Sequence, residues 1–501
     1  MTVSETAWVD NGAFSPNRGQ FPIQVERHLN AFVADHLPGV TTVTLGARYY
    51  SLHAHVAYRA NEQGLDEDQT RRLLRRSEAL LAYVTARHSS QSDHPDETPP
   101  GHGIDAILRL AGGGTTGIDL AECAKPGAYS LANWGFSGAY RGSELTLKIL
   151  DQAGFLPGAW HDLKATAALD ALVQRAEGED AVSAADADQL ADACLCRMAA
   201  ATDGPWLAKL LAGDPNSVDP KPTRGGLLWQ LGRLVTIAIS THEVRGSGQV
   251  AELIMFDHDL ADHHALVGMV GIDLWRGGLL RAESVWAWRR IWRDINEIYL
   301  KSVGAISVAD LVEAFADGLR DVPLTDFLNN LPPVADGAGR PLNAERQLDH
   351  VGDVERWMAI VMLGSQRSQY LNHNERIGFA GGNELHGTQW EELTPGWTEH
   401  LLARHANSAL RDLGRDMAQI LINRSQRVAL RKANYNPAKQ TFSFPARVHV
   451  RDGIAIRVFG ETAPTPATRL PQYLSIARQA GLYATSPAGN LMPGVNGGLL
   501  A

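Results

Sequence analysis

Apolar positions recur at intervals of three and four over most of this chain and alternate only near its end. In "FPIQVERHLNAFVADHL", Phe21, Val25, Leu29, Phe32 and Val33 fall near one helical face, and Pro38-Gly39 stops the run. "DEDQTRRLLRRSEALLAYVTARH" predicts a second helix, whose acidic start and basic finish suit the helix dipole. "SSQSDHPDETPPGHG" is a loop by composition. Short helices broken by glycines follow, then Ala-rich acidic helices over residues 160–215 and longer helices over 223–330. "NNLPPVADGAGRPL" reads as a boundary loop, after which helices resume from "DVERWMAIVMLGSQRSQYL" to "TEHLLARHANSALRDLGRDMAQILINRSQRVALRKA".

The texture changes at Asn434. Val448, Val450, Ile454, Ile456 and Val458 alternate about Asp452-Gly453, a dipeptide that supplies the positive φ angles of a tight hairpin turn. A helix in "TPATRLPQYLSIARQAGLY", ended by Gly481, follows it. The pattern predicts a mainly α, multi-domain chain with a small C-terminal α+β module. Its parts are an N-terminal helical domain (1–150), a central helical region with acidic helices (151–335), a second helical region (336–433) and a winged-helix-like hairpin and helix (434–501).

Composition changes this picture in two places. At 501 residues, 44% of them apolar, the chain can bury sizeable cores. Its net charge of −10 hides an asymmetry: residues 401–460 hold 11 Lys/Arg against 3 Asp/Glu, while residues 171–220 hold 3 against 9. Three cysteines, Cys123, Cys194 and Cys196, cannot build a disulfide framework, and the C-x-C pair lacks a second pair for a zinc site. A reducing, cytoplasmic setting is expected. No apolar run approaches the roughly 18 residues of a membrane helix, and the N-terminus has no signal-peptide pattern, so no membrane contact is expected.

The basic region is the leading candidate site. Arg424, Arg427, Arg431 and Lys432 follow helical spacing, and Lys439, Arg447, Arg451 and Arg457 continue through the loop and hairpin. A helix followed by a positive β-ribbon can track a phosphate backbone, so DNA or RNA is the expected partner. The rival reading is a solvated face paired with the chain's own acidic helices.

"FDHDLADHH" is the densest set of metal-ligand residue types. On a helix His258 and Asp262 share a face, as do Asp259 and His263, and such pairs can hold Zn²⁺ or Mn²⁺. The His258-Asp259 dipeptide resembles that of His-Asp metal phosphohydrolases, with His242 and Asp294 as further candidate ligands. Arg367 and His373, six apart with Ser368 after the arginine, resemble the Arg/His pair of small helical ribonucleases. "AGGGTTG" (111–117) has the backbone N–H groups to wrap a phosphate, but the Lys-Ser/Thr ending of a P-loop is absent. Trp286, Trp288 and Trp292 flank Arg289, Arg290 and Arg293, and Trp288 and Trp292 share a face with Val285, Ile295 and Tyr299. That arrangement favours core packing over a base-stacking platform. No nucleophile elbow, His-Glu-x-x-His helix or dinucleotide fingerprint occurs, and no catalytic residue is assigned.

Four stretches stand in a characteristic order: "PGVTTVTLGARYYSLHAHVAYRA", "RRSEALLAYV", "GHGIDAILRLAGG" and "YSLANWGFSGAYRGS". Over residues 38–150 this order resembles an uncharacterised family of bacterial proteins found in antiviral defence islands beside helicases and nucleases. The resemblance implies a non-catalytic subunit of a defence complex, working with a helicase or nuclease; oligomerisation is a further expectation, apart from the resemblance. It brings no known catalytic residues. In the first stretch Thr41, Thr42 or Thr44 is expected to cap a helix starting near Ala47, with Tyr49, Leu52 and Val56 inward and Arg48 on the other face. The expected function is therefore nucleic-acid binding through residues 424–457. A metal-dependent nuclease or phosphohydrolase built on His258, Asp259, Asp262 and His263 is one alternative, and a protein-interaction scaffold the other.

Overall fold

The computed structural model describes residues 8–9, 21–91, 94–95, 97–113, 117–152, 155–213, 224–301, 305–348, 351–380, 392–437, 440–458 and 460–500. Helices dominate, and among the described residues the strands form only small sheets of two or three, so the chain is mainly α with a C-terminal strand-and-helix region. No described helix is long and apolar enough to cross a membrane. The chain divides into two compact units. The first comprises residues 33–254, 259–272 and 469–501; the second comprises residues 1–32, 255–258 and 273–468.

In the first unit, the helix Arg48–Gln63 packs against the helix Glu67–His88. The longer helix starts where the sequence places it: Asp66 accepts from the Gln69 N–H and the Gln69 side chain reaches back to Asp66, a capping box. Acidic Glu67 and Asp68 in its first turn and Arg87 and His88 in its last complement the dipole.

The Arg48–Gln63 helix departs from expectation at its start. No side chain caps it in the usual way. The Thr44 hydroxyl instead donates to the Thr41 carbonyl, and Gln479 Oε1 accepts from the Ala47 N–H at 2.8 Å. Pro38-Gly39 does turn the chain, and only glycine fits: Gly39 has φ 76°, and a Cβ there would lie 2.4 Å from Leu147 Cγ. Tyr49, Leu52 and Val56 are fully buried, as the spacing requires.

Arg48 is also fully buried, not turned outward. Its Nε donates to Asp203 Oδ2 at 3.0 Å, and its Nη1 donates to the carbonyls of Asp192 and Cys194 at 2.5 and 2.7 Å. The amphipathic reading turned Arg48 to the opposite face, toward Glu26 or a partner, because it assumed one buried face, whereas its partners are Asp203, Asp192 and Cys194. This helix is enclosed on most sides, with Ser51, His53 and His55 buried as well.

In the second unit, the helix Val308–Asp317 packs along the helix Leu410–Arg431. Trp288, Trp292, Val285 and Ile295 lie in its core, as their spacing predicts. The Arg290 guanidinium lies 5.0 Å from the centre of the Trp286 ring and 5.3 Å from that of Trp357. The hairpin forms with Val448–Arg451 paired to Ile454–Arg457 around Asp452 (φ 51°) and Gly453 (φ 76°). Ala305–Ser307 joins it as a third, antiparallel strand. Val448 and Ala455 face inward, leaving Ile454 and Ile456 exposed. The helix that follows, Leu470–Gln479, belongs to the first unit.

Arg367 is likewise buried, its fork closed on Glu345 at 2.7 Å and on the carbonyls of Val334 and Leu342. It fastens the "PPVADGAGRPL" loop, and that role accounts for the arginine without the ribonuclease-like pairing to exposed His373.

Arg48→Met leaves the Asp203 carboxylate buried without its partner. Urea unfolding is expected to show a loss of about 3–5 kcal/mol.

Candidate functional site

The basic region sits on the last turns of the helix Leu410–Arg431, whose inner face is Leu413, Met417, Leu421 and Val428. Helical spacing puts Arg424, Arg427 and Arg431 along one border of that face. Both Arg424 and Arg427 converge on Glu392: Arg424 Nη1 lies 3.1 Å from Oε2, and Arg427 Nη2 lies 2.7 Å from Oε1. Arg424 Nε also donates to the Ile23 carbonyl. Arg431 is exposed. Glu392, Arg424, Arg427, Val428 and Arg431 line a cleft of about 210 Å³. Two guanidinium groups close on one carboxylate there, and Arg431 lines the same cleft.

The rest of the region is more self-contained than its sequence suggests. Lys432 is partly buried, which lowers its ammonium pKa, and it donates to the Phe21 carbonyl. Arg447 lies 3.9 Å from Glu461, whose carboxyl burial pushes up. Arg451 stands at the exposed hairpin tip, 3.5 Å from Asp452. Arg457 is partly exposed on the second hairpin strand. Lys439 lies outside the described residues, as does part of the 111–117 glycine stretch.

The His258, Asp259, Asp262 and His263 set is not carried on one continuous helix. The helix there is a single turn, His258–Ala261, and Asp262 and His263 lie beyond its end. The His263 Nδ1 accepts from the Ala265 N–H, and its ring stacks on His264 at 4.5 Å. The i, i+4 faces that the spacing promised need a second helical turn.

The four stretches of residues 38–150 meet inside the first unit. His53 lies between two carboxylates, with Nδ1 2.5 Å from Glu144 Oε1 and Nε2 2.9 Å from Glu78 Oε1. Glu78 also accepts from the Tyr129 hydroxyl at 2.6 Å and from the Phe136 N–H. Gly135, at φ 58°, allows this approach: a Cβ there would lie 2.1 Å from Glu78 Oε2. Arg75 donates to the carbonyls of Ala124, Lys125 and Ala132 and lies 4.6 Å from the centre of the Tyr129 ring. Tyr140 bonds both the N–H and the carbonyl of Gly46, and its hydroxyl meets His102 Nε2 at 2.8 Å. Burial alone would pull the His53 imidazole down, but Glu144 and Glu78 together raise its pKa to about 10. His102, also partly buried but without a bonded carboxylate, is lowered to about 4.

A second polar cluster lies in the same unit. His88, His94, Cys194 and Cys196 each bring one donor atom to within 4.8 Å of the others. Cys196 Sγ is 3.3 Å from His88 Nδ1. Hydrogen bonding from Cys196 and His88 outweighs burial and lowers the Cys194 thiol to about 5. Among the described residues this is the one such group of donors. Sequence spacing concealed it, because His88 stands 108 residues before Cys196. The C-x-C pair was the available signal, but its partners are histidines rather than a second cysteine pair. No family model matches this chain, and neither does any curated protein or solved structure.

The raised pKa of His53 has a testable sign. Its stabilisation is fully present below the unfolded value near pH 6.5 and is lost as pH rises through about 10. His53→Gln cannot carry the charge. It is expected to cost about 3 kcal/mol near neutral pH and to flatten the alkaline loss of stability, read by urea unfolding at a series of pH values. Parallel curves for the two proteins would contradict this account.

Proposed function

We propose that this chain is a non-catalytic, nucleic-acid-binding subunit that meets phosphates through the cleft on the Leu410–Arg431 helix. The partner helicase or nuclease that would supply the chemistry, and the antiviral setting, are what the resemblance implies. One observation carries the reading: Arg424 and Arg427 are held as a pair around a single carboxylate, with Arg431 beside them. Guanidinium forks that close on a carboxylate present the same geometry to phosphate oxygens. On this reading Glu392 is an internal stand-in that an incoming phosphate displaces.

The pairing also narrows the expected footprint. Arg431 and the two arginines on Glu392 form the working contacts, with Arg451 and Arg457 as lesser ones. Lys432 and Arg447 contribute through packing.

Fluorescence anisotropy with labelled DNA and RNA across a salt series tests this. Arg431→Ala is expected to lower the salt slope by about 0.9 on a duplex or about 0.7 on a single strand. Glu392→Gln is expected to tighten binding close to tenfold at about 0.1 M salt, the worth of one further phosphate contact. Binding that is absent at low salt, or that ignores both substitutions, would sink the reading.

A further inference from the structure

We propose that His88, His94, Cys194 and Cys196 form a Zn²⁺ site of the closed, structural kind. The donors come from three places. His88 ends the Glu67–His88 helix, His94 lies in the loop after it, and Cys194 and Cys196 bracket the start of the tight turn Leu195–Ala200. His88 and Cys194 are buried, and His94 and Cys196 are partly so. The Nε2 of His94 is buried and makes no hydrogen bond, an arrangement that costs free energy unless something is bound there.

The donor set selects the metal. Two thiolates and two imidazoles in a compact group suit tetrahedral Zn²⁺, whereas hard oxygen-seeking cations would find no ligand here. Bond lengths of about 2.3 Å to sulfur and about 2.0 Å to nitrogen place tetrahedral donors some 3.3–3.8 Å apart. The four atoms, all within 4.8 Å, need to close by about 1.5 Å at most, which side-chain torsions supply. Four protein ligands leave no open position for water or substrate, so the ion would bind segments together and carry out no reaction.

The surroundings already hold the ligands in place. Arg48 Nη1 fixes the carbonyl of Cys194 at 2.7 Å, and the Leu195 N–H donates to the Thr85 hydroxyl. Such outer contacts orient ligands before metal arrives. Bound zinc would tie the end of the Glu67–His88 helix and its loop to the turn that Arg48 anchors. His94 also lines a cavity of about 550 Å³ with Thr85, Arg87, Ser90 and Gly101, so the loop carrying His94 forms part of its wall. Zinc would therefore fix one wall of that cavity.

Metal analysis of the full chain, purified without chelator from zinc-supplemented cells, is expected to give about one zinc per chain. Titrating the chelated protein with Co²⁺ is expected to give the ligand-field bands of a tetrahedral site and a thiolate-to-cobalt charge-transfer band. His94→Asn, at the more accessible position, and Cys196→Ser should each weaken metal affinity at least tenfold while the first keeps the native circular dichroism. Chelation should lower the melting temperature of the wild-type chain but not that of Cys196→Ser. The proposal is overturned if wild type holds below about a tenth of an ion per chain and develops no cobalt bands.

Discussion

The first unit depends on a guanidinium sealed away from water. Transferring Arg48 out of solvent is costly unless every donor finds an acceptor and the charge finds an opposite one. Asp203 supplies the charge, and the carbonyls of Asp192 and Cys194 supply the remaining acceptors. Asp203 begins the helix Asp203–Ala212, where the dipole favours a carboxylate, although burial still raises its pKa. The Arg48–Gln63 helix is thus tied by one side chain to the stretch that runs from Asp192 to Asp203. Because one of those contacts is the Cys194 carbonyl, the direction in which the C-x-C turn faces follows from the same constraint.

The same logic recurs around it. His53 between Glu78 and Glu144, Arg75 over Tyr129, and Tyr140 on both polar atoms of Gly46 are buried and mutually exacting, with Glu144 Oε2 left without a hydrogen bond. Such networks specify one arrangement more sharply than an apolar core of equal size, since a slipped helix would strand a charge. They also give a physical reason for the four stretches in residues 38–150 to occur together. Each stretch carries groups that only the others can satisfy: Gly135 must lack a Cβ because Glu78 occupies its space, and Glu78 is there because His53 requires it.

Helices, the hairpin turn and the tryptophan core were legible because periodicity and turn chemistry are local. Asp452-Gly453 announces its turn within two residues, and the acidic start and basic finish of the Glu67–His88 helix mark its ends, although the Asp66–Gln69 box itself went unread. What was illegible was pairing at long range. Arg48 was expected to face Glu26 or a partner and Arg367 to pair with His373, yet both are buried on partners that spacing does not reveal, Asp203 and Glu345. His88 and His94 lie in a helix end and a loop whose composition suggests nothing, far from the cysteines they meet. The "FDHDLADHH" run misled in the opposite direction: it is dense in ligand types, yet its helix ends after one turn.

The basic region shows why a count of charges overstates a polyanion site. Arg447 and Arg451 each have a carboxylate nearby, and Arg424 and Arg427 share one, so the available field is far smaller than the sequence balance implies. Yet the sharing itself matters. One carboxylate cannot fully neutralise two guanidiniums with a third beside them, and it holds their long side chains in a common orientation. Displacing Glu392 gives up its ion pairs to Arg424 and Arg427, a loss that screening keeps modest and rehydration of the carboxylate partly offsets, because about a third of its side chain is already exposed. A phosphate arriving there would meet arginines whose conformational entropy has already been spent, which favours a small, specific contact over a broad electrostatic stripe.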